Sequence, residues 1–389
     1  MVRIVIAGAG KAGLNAALAL EKKFENRQGI SITLVDRHDY HLLNKKLSVA
    51  AASDEEFADI NKLKSDITLA LEEVLSGKKI NFIQGELLRV DSAQNKIHLH
   101  GKHLSYDYLI LALGSDANLA TVKGAKEHGL PLHSLADALR IKNALAFVAE
   151  NRRLAQSSMS VRIVVAGGGA EGAEFAAELQ GHLDFLAWKN ELAKDSLEVV
   201  VYEAEHRLLP KYDYSLSQKA FWRLKNLGVR VETEKKIVSA DKNFISFEDK
   251  EKIQYDVLVW MAGVVPSKIF IEQGHHQKGK AGDLLVNEHL QLFGSENIFV
   301  VGSQAGMNEI TYNPKHQAEY LAYALPKLMK NKKPGEYLAK KQKLILKIGP
   351  SWAIAGNFTG YSGYLLYQLS HFNYLRRLVG FKEALYYLF

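Results

Sequence analysis

The sequence predicts an α/β protein in which one strand–turn–helix unit occurs twice. Apart from one arginine each, residues 2–7 and 161–166 are runs of apolar, mostly β-branched residues typical of buried strands. A glycine-rich turn and an alanine-rich helix follow each run. The copies begin about 160 residues apart, a spacing too long for a short-period solenoid. Strand and helix patterns alternate throughout the chain, which is typical of an α/β fold.

The other elements follow from the same periodicities, with apolar β-branched runs for strands and three-to-four-residue apolar spacing for helices. The predicted strands after the first are 30–35, 80–84, 96–99, 106–113, 161–166, 197–202, 229–232, 244–247, 256–262 and 298–301. The predicted helices are 11–24, 61–75, 135–150, 174–194, 215–226 and 315–330. Residues 115–134 are predicted to cross between domains. The predicted domains are 1–115 with 265–330, then 116–264, and finally a C-terminal region over 331–389.

The composition excludes several classes of protein. The 389 residues are 47% hydrophobic and 24% charged, which is typical of a globular chain with two or three domains. The sequence contains no cysteine, which excludes disulfide scaffolds, cysteine-ligated metals and redox enzymes that relay electrons through a cysteine pair. No metal site is predicted.

The net charge of +7 is concentrated near the C-terminus, so it does not indicate nucleic-acid binding. Residues 327–347 contain a single acid, Glu336, and eight lysines: Lys327, Lys330, Lys332, Lys333, Lys340, Lys341, Lys343 and Lys347. This basic block lies beside an aromatic C-terminus, which favours contact with an anionic membrane surface. A solvated lysine-rich connection is the alternative.

The first glycine turn has the spacing of a dinucleotide-binding turn. Gly8, Gly10 and Gly13 fit G-x-G-x-x-G between a strand and a helix, and Asp36 ends the next strand. The pattern alone is weak, but this context supports a turn that binds a pyrophosphate and a carboxylate that binds a ribose. A glycine turn without a ligand is the alternative.

The second turn repeats the pattern with Gly167, Gly169 and Gly172, and its strand-end acid is Glu203. A carboxylate at this position would repel a 2′-phosphate, which favours NADH over NADPH. Arg207 lies close in sequence and leaves NADPH open.

Two dinucleotide turns in one chain favour a flavin paired with a nicotinamide, because hydride transfer brings the two rings face to face. Two further buried strands, in 106–113 and 256–262, end in glycine, at Gly114 and Gly263. At these positions the backbone can turn at the edge of a cofactor.

These residues resemble the flavoproteins with two dinucleotide-binding domains, and within them the type II NADH:quinone oxidoreductases. The resemblance covers nearly the whole chain. Its specific motifs are Asp39-Tyr40-His41, Gly172-Ala173-Glu174-Phe175 with Glu178-Leu179, Arg207-Leu208-Leu209-Pro210, and the basic, aromatic C-terminus. The related sulfide:quinone branch works through cysteines, which this sequence lacks.

The resemblance implies two Rossmann-like domains, one for FAD and one for NADH, with a quinone as electron acceptor and a homodimer as the assembly. The implied FAD-binding residues are Gly8, Gly10, Gly13, Asp36, Gly114, Ser115, Gly302 and Ser303. The implied NADH-binding residues are Gly167, Gly169, Gly172, Glu203 and Gly263. Ser303 departs from the family, which usually has aspartate there to bond the flavin ribityl chain.

Two residues receive catalytic roles from the resemblance. Glu174 matches a glutamate near the nicotinamide, and Gln317 matches a glutamine that lines the quinone pocket. Without the family, Glu174 can also be an acid that complements the helix dipole. Gln317 can also be a plain amide on the surface of its helix.

The C-terminal region is predicted to associate with the membrane without crossing it. Residues 348–360 are predicted to be irregular, and a helix is predicted over 361–379. Its proposed apolar stripe is Leu365, Leu369, Phe372, Leu375 and Val379. Tyr and Phe with flanking Arg and Lys suit the bilayer interface, although a dimer contact or a core helix is possible. Because the apolar run of residues 2–7 is too short for a signal peptide, we expect a peripheral protein on the cytoplasmic face.

The function predicted from these observations is a non-pumping NADH dehydrogenase that passes electrons through FAD to a membrane quinone. Two other functions remain open at this point. One is a soluble NADH-dependent flavin reductase with another acceptor. The other is a non-catalytic nucleotide-binding scaffold, which the serine at 303 would permit.

Overall fold

The structure is a computed structural model with two compact units. It describes residues 1–53, 60–155, 160–189, 193, 196–272, 279, 282–306, 313–340 and 344–387. The first unit comprises residues 1–42, 68–116 and 265–342, and the second comprises residues 43–67, 117–264 and 343–389. Lys341 and Lys343 of the basic block and part of the end of the predicted helix 174–194 lie outside the described residues.

The helices of the described residues are α1 Lys11–Phe24, α2 Asn44–Ala51, α3 Ile60–Ile67, α4 Leu71–Leu75, α5 Ala125–His128, α6 Leu135–Ala155, α7 Ala170–Lys189, α8 Tyr214–Asn226, α9 Pro314–Leu328, α10 Tyr361–Val379 and α11 Phe381–Tyr386. A short 3₁₀ turn covers Gly302–Ala305. No helix in these described ranges is both long and apolar enough to cross a membrane.

The strands of the described residues are β1 Val2–Ala7, β2 Ile30–Asp36, β3 Tyr40–Leu42, β4 Thr68–Ala70, β5 Ile80–Gln84, β6 Arg89–Asp91, β7 Lys96–Leu99, β8 Lys102–Ser105, β9 Tyr108–Leu111, β10 Ser115–Ala117, β11 Leu130–Pro131, β12 Val161–Ala166, β13 Leu197–Tyr202, β14 Arg230–Glu232, β15 Ile237–Ala240, β16 Phe244–Phe247, β17 Lys252–Gln254, β18 Val257–Trp260, β19 Val264–Pro266, β20 Phe270–Glu272, β21 Ile298–Val300, β22 Ile345–Lys347, β23 Ala353–Ala355 and β24 Phe358–Gly360. Strands β10 and β19 form a separate two-stranded sheet.

The first unit is built on a parallel sheet with the strand order β21-β9-β1-β2-β5. The central strand β1 is apolar throughout its buried part, as expected for a strand covered on both faces. Helix α1 packs against α9, and a second, four-stranded sheet has the order β20-β6-β7-β8. The glycine turn lies at the carboxyl end of β1, where open α/β sheets bind their ligands.

The second unit repeats this plan with the parallel order β11-β18-β12-β13-β14. Helices α6 and α7 pack against the sheet, and an antiparallel sheet β15-β16-β17 is added. The prediction of an α/β fold with two Rossmann-like sheets is confirmed. Residues 43–67, which the sequence placed in the first domain, lie in the second unit because α2 packs against α6 and α7.

Three local predictions differ from the structure. The predicted helix 61–75 is broken by β4, which pairs antiparallel with β3. Residues 348–360 are not irregular, because β22, β23 and β24 form an antiparallel sheet on which α10 packs. The C-terminal residues from 343 onward therefore belong to the second unit. The helix predicted over 361–379 is confirmed as α10.

Candidate functional site

The first glycine turn connects β1 to α1, and the chain's own packing requires two of its glycines. Gly8 has a φ of 104°, and a Cβ there would lie 2.4 Å from the carbonyl oxygen of Ala112. A Cβ at Gly13 would lie 1.8 Å from the carbonyl oxygen of Gly8. A Cβ at Gly10, in contrast, would meet no described atom within 4 Å. The turn is therefore open at Gly10, where the N-terminus of a helix favours a phosphate.

The middle residue of this turn, Ala9, is held at both its N–H and its carbonyl group. Asp36 accepts the N–H of Ala9 on Oδ2 at 2.6 Å, and its Oδ1 accepts the N–H of His38 at 2.8 Å. The Nδ1 atom of buried His41 lies 2.8 Å from the Ala9 carbonyl oxygen, so Nδ1 carries the hydrogen. Burial lowers the pKa of His41 to about 4, which keeps the ring neutral at pH 7. Because a trans peptide is planar, the N–H of Gly10 points away from the bonded carbonyl group.

Gln304 fixes the backbone that leads into the predicted flavin-flanking residues Gly114 and Ser115. Its buried side chain accepts the N–H of Leu113 at 3.0 Å and donates to the carbonyl oxygen of Ser267 at 3.0 Å. Gly114 follows with a φ of 79°, and a Cβ there would meet no described atom within 4 Å. Sequence reasoning missed Gln304, because its two bonds join positions far apart in the chain and no motif marks it.

Gln317 is fully buried, so the alternative that it is a plain amide on the helix surface is wrong. Its Oε1 accepts the N–H of Gly302 at 2.9 Å. Gly302 has a φ of 79° and starts the 3₁₀ turn, in which Ser303 is half-buried. Asn313 caps α9 by accepting the N–H of His316 at 3.1 Å. The predicted residues Gly302, Ser303 and Gln317 are therefore brought together within the first unit.

The second glycine turn connects β12 to α7 and repeats the first turn. Gly167 has a φ of 106°, and a Cβ there would lie 2.6 Å from the carbonyl oxygen of Met261. A Cβ at Gly172 would lie 2.0 Å from the carbonyl oxygen of Gly167. At Gly169 a Cβ would again meet no atom of the described residues within 4 Å. This turn is therefore open at Gly169.

The middle residue of the second turn, Gly168, is also held on both sides. Buried Glu203 accepts the N–H of Gly168 on Oε2 at 2.7 Å and the N–H of Glu205 on Oε1 at 2.9 Å. The N–H of Leu209 donates to the carbonyl oxygen of Gly168 at 2.9 Å. Both carboxylate oxygens of Glu203 thus accept backbone N–H groups, as the two oxygens of Asp36 do in the first turn.

Two further predicted positions of the second unit have defined geometry. Gly263 follows β18 with a φ of 89°, and its carbonyl oxygen accepts the N–H of Asn118 at 3.1 Å. A Cβ at Gly263 would meet no atom within 4 Å in the part of the chain that the structure describes. Arg207 donates only to backbone carbonyl groups among the contacts of the described residues.

Glu174 lies in a cluster of charged and aromatic side chains in the second unit. Burial raises its pKa to about 7, Lys45 opposes this rise, and Glu178 adds to it. Lys347 Nζ lies 2.6 Å from Oε1 of Glu178, and both side chains are mostly buried. Lys45 Nζ lies 4.5 Å from the ring centre of Tyr367, whose pKa is raised by burial and by the two glutamates. Glu174 can therefore gain or lose a proton near neutral pH.

The C-terminal helices expose several apolar side chains. Leu365 and Leu369 of α10 are 52% and 54% exposed, and Phe381 of α11 is 59% exposed. The predicted stripe is only partly correct, because Leu375 is fully buried. The buried face of α10 is formed instead by Gly363, Tyr367, His371, Leu375 and Leu378.

Comparison with known proteins gives relatives and structural neighbours of this chain. A type II NADH:quinone oxidoreductase of Staphylococcus aureus (strain NCTC 8325 / PS 47) is 28% identical over 307 residues, which are 77% of this chain and 73% of the relative. This relative confirms the resemblance found in the sequence.

The solved structures include NDH2 from Plasmodium falciparum in complex with NADH, with a TM-score of 0.83 and 18% identity over 100% of this chain and 97% of that chain. They also include the sulfide:quinone oxidoreductase of Aquifex aeolicus, with a TM-score of 0.76 and 16% identity over 98% and 92% of the two chains. At these identities, the likeness shows the fold. The family described as pyridine nucleotide-disulphide oxidoreductase matches residues 2–320, and the chain belongs to that family.

Proposed function

We propose that the protein is an FAD-dependent NADH:quinone oxidoreductase that does not pump ions. The observation that carries this proposal is the occurrence of two glycine turns of the same construction, each with its own strand-end acid, in two units of one chain. The Staphylococcus aureus relative supports the reaction, since its name states both NADH and quinone.

The first unit fits FAD. The open side at Gly10 suits a pyrophosphate, and the open side at Gly114 suits the edge of a ring system. The proposed FAD-binding residues are Gly8, Gly10, Gly13, Asp36, Gly114, Ser115, Gly302 and Ser303. When bound, FAD supplies the ring that takes hydride from NADH and gives up two electrons.

The second unit fits NADH, and the proposed residues are Gly167, Gly169, Gly172, Glu203 and Gly263. Glu203 brings a carboxylate to the position where a 2′-phosphate would lie in NADPH. The guanidinium of Arg207 donates to three backbone carbonyl groups of its own loop and forms no ion pair with Glu203 among the described residues. Both observations favour NADH as the substrate.

Two residues of this chain are proposed to act in the reaction. Glu174 follows the second glycine turn and exchanges a proton near neutral pH, so it can adjust the charge around the nicotinamide. Gln317 orders Gly302 through its amide oxygen and is proposed to line the quinone site. Neither role requires a nucleophile, because ring positioning and electrostatics provide the catalysis.

The C-terminal helices are proposed to rest on the cytoplasmic face of an anionic membrane. Exposed Leu365, Leu369 and Phe381 supply apolar contacts, while Arg376 and Lys382 supply positive charge. Contact with the membrane would place the protein at the source of its quinone. A homodimer remains a proposal that rests on the resemblance alone.

The electron path is tested by absorption spectroscopy of the detergent-purified protein. A flavin band that NADH bleaches without air and a soluble quinone restores is the expected result. If oxygen or dyes restore the bleached flavin band but quinones do not, the electron acceptor is not a quinone. A protein that stays colourless after FAD is supplied would overturn the proposal.

The membrane contact is tested by flotation with vesicles of phosphatidylglycerol and of phosphatidylcholine. We expect flotation with the anionic vesicles and its loss in the double variant L365E/L369E. The matched control is F244E, which changes an exposed aromatic residue on β16. Equal flotation of the double variant and the wild type would contradict the proposed contact.

A further inference from the structure

The motif Arg207-Leu208-Leu209-Pro210 follows the second strand-end acid, and its arginine binds the backbone of its own loop. Nη1 of Arg207 donates to the carbonyl oxygen of Leu209 at 3.4 Å. Nη2 donates to the carbonyl oxygens of Pro210 and Tyr212 at 2.9 and 2.8 Å. Within the described ranges, no carboxylate forms an ion pair with Arg207. The fixed fork of a guanidinium suits several acceptors that lie close together.

The loop of residues 207–212, whose carbonyl groups Arg207 binds, has a strained conformation. Leu209 has a φ of 50°, in the left-handed region that a leucine adopts at a cost, and its side chain is fully buried. The N–H of Tyr212 donates to the Leu209 carbonyl oxygen at 2.9 Å, which closes a tight turn. Contacts with Arg207 on both sides of this turn offset the strain.

The same loop forms one wall of the second glycine turn. The N–H of Leu209 donates to the carbonyl oxygen of Gly168 at 2.9 Å. Leu208 packs so closely that a Cβ at Gly168 would lie 2.4 Å from its Cδ2 atom. Because the peptide between Gly168 and Gly169 is planar and trans, holding this carbonyl directs the N–H of Gly169 the opposite way. Gly169 itself faces open space, because a Cβ there would meet no described atom within 4 Å.

We propose that Arg207 is a positioning residue for the nicotinamide dinucleotide. It acts through Leu209, which fixes the peptide that presents the Gly169 N–H to the pyrophosphate. This inference rests on the proposed function, in which the second turn binds NADH. Arg207 itself does not bind the dinucleotide, so its removal lowers the affinities for NADH and NADPH by the same factor.

The test is NAD⁺ binding to the FAD-loaded protein by titration calorimetry, with steady-state kinetics alongside. We expect R207A to raise the dissociation constant of NAD⁺ and the KM for NADH about tenfold, with kcat and flavin content unchanged. R207K keeps the charge but reaches fewer carbonyl groups, so we expect the dissociation constant of NAD⁺ to rise only about threefold. The matched control R223A removes a guanidinium that donates to the carbonyl oxygen of Ile348 at 3.1 Å, and NAD⁺ binding should stay unchanged.

A second readout separates positioning from general folding. Methylguanidinium chloride should lower the NAD⁺ dissociation constant of R207A, whereas tetramethylammonium chloride should not. If R207A does not fold, R207K carries the test. Unchanged NAD⁺ binding in the variants would overturn the inference, and so would a loss confined to NADPH, which would make Arg207 a phosphate ligand. Equal losses of flavin, kcat and NAD⁺ affinity would also overturn it. A wild-type protein that binds no NAD⁺ would instead remove the proposed function.

Discussion

In the first unit a histidine ring holds the carbonyl group of the middle turn residue, whereas in the second unit a backbone N–H holds it. His41 donates to Ala9, and Leu209 donates to Gly168. In both units a strand-end carboxylate takes the N–H of the same residue. The geometry of the turn is thus conserved within the chain, while the donor that completes it differs. The first turn depends on a titratable group, and the second depends on the shape of a loop.

The largest expected effect comes from filling the third glycine of each turn. A Cβ at Gly13 or Gly172 would lie 2.0 Å or less from a carbonyl oxygen, so G13A and G172A must displace backbone. We expect G13A to lose its flavin and G172A to keep the flavin but resist bleaching by NADH. Absorption spectra measure both effects. The control is G181A in α7, where a Cβ meets no described atom within 4 Å. A colourless G172A would contradict the assignment of the two turns.

The next prediction concerns the pH dependence of stability, which should depend on the donor His41 of the first turn. The folded pKa of His41 is about 4, below the ordinary 6.5, so the unfolded chain binds a proton first as the pH falls. The contribution of His41 to the free energy of unfolding is complete above pH 6.5. The free energy of unfolding then decreases by about 3 kcal/mol as the pH falls to 4. We expect H41N, which keeps a donor but does not titrate, to lose this part of the pH dependence.

Urea unfolding followed by flavin fluorescence at pH 7 and 4.5 measures the effect of His41. If H41N and the wild type lose the same stability between these pH values, His41 is not the acid-sensitive donor.

A third prediction concerns the helices that follow the turns. Asn15 in α1 and Glu174 in α7 lie two residues after the third glycine of their turns. The Glu174 pKa is raised to about 7, so the folded protein keeps a proton that the unfolded chain releases near pH 4.5. Stability therefore decreases as the pH rises through this window, and E174Q should be more stable at pH 8 by about 2 kcal/mol, allowing for partial exposure.

Thermal unfolding at pH 8 and pH 4.5 tests this prediction for Glu174. The two proteins should differ at pH 8 and agree at pH 4.5. The control is N15D, which places a carboxylate at the matching position of α1. An E174Q variant that is no more stable than the wild type at pH 8 would show that the carboxyl group is ionised there without cost.

The smallest expected effect compares the two strand-end acids. An amide in place of either carboxylate loses one of two acceptors, which costs about 1.4 kcal/mol, or tenfold in affinity. E203Q should weaken NAD⁺ binding more than D36N weakens FAD binding, because Glu203 is buried and Asp36 is half-buried. Calorimetry measures both constants. The reverse order would show that burial does not set the strength of these bonds.

The sequence predicted what depends on local patterns. The two turns, the strand-end acids and most strands follow from residue periodicity and from glycines whose positions the backbone dictates. Helix α10 was predicted with its correct bounds, since glycines flank it at 360 and 380.

The remaining features depend on contacts between distant parts of the chain. Gln304 bonds to Leu113 and Ser267, and no periodicity links these positions. The motif that contains His41 was visible, but its bond to Ala9 appears only when β3 is placed beside the turn. The buried face of α10 was misjudged because it packs on a small sheet that the sequence suggested was irregular.

The C-terminal segment also makes the gene sensitive to late frameshifts. Lys347 and Tyr367 belong to the same cluster as Glu174 and Glu178, which follow the second turn. A premature stop codon near residue 345 would remove helices α10 and α11 and also leave Glu178 without its buried cation. Truncated alleles would therefore lose part of the Glu174 cluster together with the helices that are proposed to contact lipid, and only substitutions on the surface of these helices can separate the two effects.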